Sequence, residues 1–108
     1  MDHTNSIKNI MLKYIEDISR SNHYDFLYDD EDGKLLCQII YRDNDGSILA
    51  TPLSFYLLIN QIDDSGEIIY YHSKGEFKRQ KFSIYKQESL VNILLFIQER
   101  LNMNSTNR

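Results

Sequence analysis

His3, His23 and His72 are the residues of this chain best suited to hold a metal or move a proton, and none has a cysteine or a second histidine at ligand spacing. Zinc is therefore not expected. His23 with Asp25 could form an acid–base pair, yet no activated serine or cysteine motif accompanies it. Asp43, Asn44, Asp45, Gly46, Ser47 and Ile48 resemble the middle of a calcium-binding loop, but the first and twelfth ligand positions would fall on Tyr41 and Pro52. Neither supplies a carboxylate, so the run reads as a turn. Asp29, Asp30, Glu31 and Asp32 are four consecutive acids, a pattern that reads as a solvated loop. Gly33, Gly46, Gly66 and Gly75 stand singly, so no phosphate-cradling loop is predicted. Cys37, between Leu36 and Gln38, reads as a small buried hydrophobe of a strand. The expectation is a chain with no catalytic residue, no cofactor and no metal.

Charge is unevenly placed. Between residues 25 and 67 ten acids face two bases, whereas between 74 and 86 Lys74, Lys78, Arg79, Lys81 and Lys86 face only Glu76. Interleaved with Tyr70, Tyr71, Phe77 and Phe82, those bases could stack and neutralise a nucleic acid. The formal net charge of −4 opposes that reading, since phosphate binding asks for a basic domain. Nucleic acid is the disfavoured partner.

The elements that must carry these residues follow from periodicity. Ile7, Ile10, Met11, Tyr14, Ile15 and Ile18 recur at three- and four-residue spacing, which predicts an amphipathic helix capped by Thr4, Asn5 or Ser6. Tyr24, Phe26 and Tyr28 alternate, the turn 29–33 follows, and 35–41 is rich in strand-forming residues. Asn44, Asp45 and Gly46 then turn the chain into a third strand over 47–51. Over 52–62, Thr51 followed by Pro52 reads as a helix cap and first-turn proline while Phe55, Leu57 and Ile59 alternate as in a strand; the cap favours a short helix. A second hairpin pairs 67–72 with 77–85, and Leu90, Ile93, Leu94, Ile97 and Leu101 predict a closing helix over 88–102. Residues 103–108 read as a frayed polar tail.

The predicted class is α+β: one domain over 1–108, an antiparallel sheet of about five strands with an N-terminal and a C-terminal helix against it, in the order α-β-β-β-α-β-β-α. Composition, 42% hydrophobic and 26% charged with one proline, is that of an ordinary globular domain. No stretch approaches the 18 or so apolar residues of a membrane span, and the N-terminus carries no basic segment followed by an apolar run, so a cytoplasmic protein is expected.

With those chemistries set aside, protein recognition remains. Eight tyrosines and five phenylalanines favour it, because tyrosine buries area at low entropic cost. Leu12, Leu95 and Phe96 lie off the core stripes of their helices and are the leading interface candidates. Tyr56, Tyr70, Phe77, Lys78 and Arg79 are the aromatic and basic candidates beside them.

The order of elements resembles that of the small acidic chaperones of type III secretion systems. Within it, residues 30–33 before a strand, the segment SILATPLS over 47–54 and the closing amphipathic helix look similar, and the likeness covers residues 7–101. It implies a homodimer, formed through a helix at 53–62, that holds a partly unfolded secreted client. The alternative is a stoichiometric inhibitor, such as a toxin-immunity or phage anti-defence protein, which is equally small, acidic and free of motifs.

Overall fold

The computed structural model describes residues 3–32, 34–60 and 62–106. Helix α1 (His3–Ser21) leads into strands β1 (Asp25–Glu31), β2 (Lys34–Arg42), β3 (Ile48–Asn60), β4 (Ser65–His72) and β5 (Gly75–Ser83), and α2 (Gln87–Thr106) closes the chain. The strands form one antiparallel sheet in chain order. The α+β class, the five strands and the two flanking helices are thus as the sequence predicts. Helix α1 begins at His3, so Thr4, Asn5 and Ser6 lie inside it and do not precede it as caps. Residues 103–106 continue α2 instead of forming a tail, and 107–108 lie outside the described residues.

The short helix expected over 52–62 is not formed: residues 52–60 extend β3, residue 61 lies outside the described residues, and Ile62 lies in the turn that follows. The physical reason lies at Pro52. Ile39 pairs with Leu53 and Tyr41 with Ala50, so Ile40 of β2 faces both Thr51 and Pro52. That bulge is a place where a strand tolerates a residue that cannot donate to the ladder. Beyond it Leu53, Phe55 and Leu57 point inward and are buried, while Ser54, Tyr56 and Leu58 point the other way. The helix through which the chaperone likeness implies dimerisation therefore has no counterpart at this position.

Asp43 organises the β2–β3 turn. Its carboxylate accepts from the backbone N–H groups of Asp45 at 2.9 Å and Ser47 at 3.0 Å, and Gly46 adopts a left-handed φ of 85° that favours glycine. The calcium-like run is a turn whose leading carboxylate is already occupied by backbone donors.

Both helices lie on one face of the sheet. Helix α1 touches β1 and β3, α2 touches β5 and β3, and the helices touch each other. Between the layers sits one core in which Ile7, Met11, Ile15, Cys37, Phe55, Tyr70, Ile93 and Ile97 are fully enclosed. Because α1 rests on α2 as well as on the sheet, its covered arc turns towards Leu12 and Ser19, and Tyr14 is left exposed. The Ser19 hydroxyl donates to the Ile15 carbonyl at 2.8 Å, which satisfies it in place.

Candidate protein-recognition site

The structure sorts the eight candidate residues into three places. Leu12 and Tyr70 belong to the core, at 8% and 0% exposure, and are corrected from interface candidates to packing residues. Phe77, Lys78 and Phe96 come together over Tyr70 where β4 and β5 meet α2, and Leu95 is exposed on the outer side of that helix. Tyr56 and Arg79 lie across the sheet on the face that no helix covers, because side chains alternate along a strand.

At the β5–α2 junction the ring of Phe96 packs on Tyr70 with centroids 4.6 Å apart, and Phe77 lies 6.2 Å from Tyr70 and 6.5 Å from Phe96. His72 stacks on Phe77 at 5.0 Å with ring planes 3° apart. Two cations cap these rings. The Lys78 ammonium sits 4.9 Å from the Phe96 centroid, and the Arg100 guanidinium 4.9 Å from Phe77 and 5.8 Å from Phe96. Such contacts hold a charge over an apolar surface and contribute about 0.5–1 kcal/mol each where water reaches them. Phe77 is placed at this spot by a second bulge: Tyr70 pairs with Lys78 and Tyr71 with Glu76, leaving Phe77 unpaired.

Buried Tyr70 anchors the cluster from below. Its hydroxyl donates to Gln80 Oε1 at 2.7 Å, and the Gln80 amide reaches the Asn92 carbonyl at 3.5 Å, so β4, β5 and α2 are tied together. Burial pushes the Tyr70 hydroxyl well above its ordinary pKa and holds it as a donor. Away from the cluster, on the side of α2 turned from the sheet, Val91 at 50% and Leu95 at 55% are exposed one helical turn apart. Half-buried aromatic rings capped by cations are the kind of anchor from which interface hot spots are built. Arg100 completes it, and sequence periodicity did not single it out. The position of Arg100 over Phe77 depends on the β5 bulge.

The basic hairpin is divided by the same alternation. Lys78 joins the helix side, whereas Arg79 and Lys81 face the uncovered side. Arg79 is engaged by Glu76 at 2.7 Å and Glu67 at 3.2 Å, which raises its pKa while Arg79 lowers that of Glu76. Cys37 is enclosed, and burial pushes its thiol up to about 12, far from a reactive thiolate. Asp25 pairs with Arg42 at 3.3 Å. Among the described residues no group of three His, Cys, Asp or Glu side chains is gathered as a metal would require, and no helix is long and apolar enough to cross a membrane.

No family model, no curated protein sequence and no solved structure matches this chain.

Proposed function

We propose that this chain is a non-catalytic protein-binding module that holds a client protein against α2 and β5, as a small secretion-chaperone-like protein would. The observation that carries this reading is the half-buried Phe77–Phe96 pair under its Lys78 and Arg100 caps at the β5–α2 junction, with Leu95 exposed on the outer side of the same helix. The patch fits an amphipathic client segment whose apolar residues cover Phe77, Phe96 and Leu95 and whose carboxylates meet Lys78. Arg79 is engaged within the chain and Lys81 faces the other side, so the bases of the hairpin do not form one continuous basic track of the kind a phosphate backbone follows.

The test is affinity capture from host lysate after nuclease treatment, with wild-type and Leu95→Asp proteins in parallel. A stoichiometric protein partner retained by wild type and lost by Leu95→Asp is the expected result. A partner unaffected by Leu95→Asp, or one released by nuclease, overturns it.

A further inference from the structure

The sheet face turned away from the helices has a cluster of its own. Ile40 and Ile69 are buried at 0% and 9% exposure, yet neither belongs to the main core. Around them Leu27, Leu36, Tyr56, Leu58 and Tyr71 share the face by register. A solvated sheet face ordinarily alternates to polar residues, so an aromatic and aliphatic centre of this kind marks a contact surface.

The cross-strand rows show what covers it. One row reads Asp29, Leu36, Tyr56, Ile69, Arg79 from β1 to β5; the next reads Glu31, Lys34, Leu58, Glu67, Lys81. Both rows reverse sign about their midpoint on β3. A two-fold axis running along β3 lays β1 of one copy over β5 of the other and keeps each row on itself. Asp29 then meets Arg79 of the second copy, Glu31 meets Lys81, Lys34 meets Glu67, Leu36 meets Ile69, and Tyr56 and Leu58 meet their own equivalents. The other in-plane axis, across the strands, would set the acidic β1 on β1 and the basic β5 on β5. Asp29 and Lys81 make no ion pair within the chain among the described residues, whereas Arg79 already pairs with Glu67 and Glu76 and Lys34 lies 4.8 Å over the Tyr56 ring, so the Glu31–Lys81 pairs carry most of the charge complementarity across the axis.

We propose that this face is the interface of a homodimer, two copies packed sheet on sheet about an axis parallel to β3. An isologous interface needs a self-complementary patch, and sheets packed at about 10 Å with strands near 30° apart bring long side chains of facing rows within reach. Five strands at ~4.8 Å span about 19 Å and eight residues of a strand about 26 Å, so the projected face is on the order of 500 Å² per copy. That lies at the lower end of specific interfaces, and the dimer is reversible and concentration-dependent. It leaves the α2–β5 patch of each copy facing outward, so it stands independently of the client-binding reading.

Sedimentation of the full chain across a wide concentration range, at low and high salt, tests this. A monomer–dimer equilibrium weakened by salt is expected. Tyr56→Lys sets two ammonium groups against each other at the axis and weakens association about tenfold or more. Glu31→Lys and Lys81→Glu each weaken it, and the chain carrying both exchanges restores it, because each exchanged pair again meets opposite charge across the axis. Circular dichroism checks that each variant is folded; where Tyr56→Lys is not, the Glu31 and Lys81 exchange decides. A chain monomeric at every concentration, a dimer indifferent to these changes, an exchange that fails to rescue, or open-ended species from edge pairing overturns the proposal.

Discussion

The side chains of Asn22 and Gln98 form a reciprocal amide pair: Asn22 Nδ2 donates to Gln98 Oε1 at 3.1 Å and Gln98 Nε2 donates to Asn22 Oδ1 at 3.0 Å. Asn22 also donates to the Ile18 carbonyl at 2.8 Å, and Gln98 to Asn102 at 3.0 Å. The pair thus locks the end of α1 to the middle of α2 across 76 residues of sequence. Replacing either amide by alanine strands a half-buried partner and is expected to cost about 1–2 kcal/mol, whereas the double replacement costs less than the sum. A double-mutant cycle in urea measures the coupling, and strict additivity would show that the pair contributes nothing.

Gly66 is fixed by what surrounds it. A Cβ there would run into the Leu58 carbonyl oxygen of the neighbouring strand and the ring of Phe82 on β5. The carbonyl belongs to the ladder and cannot turn aside. Gly66→Ala should therefore destabilise the fold by about 1–3 kcal/mol, as overpacking does, read as a lowered midpoint of thermal or urea unfolding.

The two long helices and the hairpins were legible because their periods are strong and their turns carry Asn44, Asp45, Gly46 and Gly75. Residues 52–62 were misread because Pro52 has two uses, opening a helix or sitting at a bulge, and only the pairing of Ile40 against Thr51 and Pro52 decides between them. Leu12 was misread for a related reason. Wheel position gives the centre of an apolar stripe, but the width of the covered arc depends on how many neighbours a helix has, and α1 has both sheet and helix. The aromatic cluster at Phe77 and Phe96 was legible as residue types; the bulge that aims Phe77 at α2 was not. The uncovered apolar face became visible only with the register, since strands alternating between two apolar faces read like any buried strand.

Alkaline stability should report the two buried acids of the core. Cys37, ordinarily near 9.0, is pushed up to about 12 by burial, and Tyr70 is raised from its ordinary 10.0 in the same direction. Above those ordinary values the unfolded chain releases protons that the folded chain still holds, so the unfolded state gains. Stability is full below about pH 9 and declines from pH 9 upward, Cys37 first and Tyr70 joining near pH 10. Urea midpoints across this range measure the decline, and Cys37→Ala should flatten its first part. At neutral pH a thiol reagent should modify Cys37 only as fast as the chain opens.

Leu95 and Phe96 are adjacent in sequence and separate in role. Leu95 is half-exposed on the outer side of α2, so Leu95→Asp should change stability by less than about 0.5 kcal/mol. Phe96 packs on Tyr70 at 4.6 Å and carries Lys78 and Arg100 on its ring, so Phe96→Ala opens the top of the core and should cost about 1–3 kcal/mol. A polar double variant would therefore unfold partly through Phe96 whatever the surface does, which makes the single variants the informative ones. Leu95→Asp should lose the client at unchanged stability, and Phe96→Ala should lose both together. Equal stability losses from the two, measured by urea unfolding, would place Leu95 in the core and remove the patch from consideration as a binding surface.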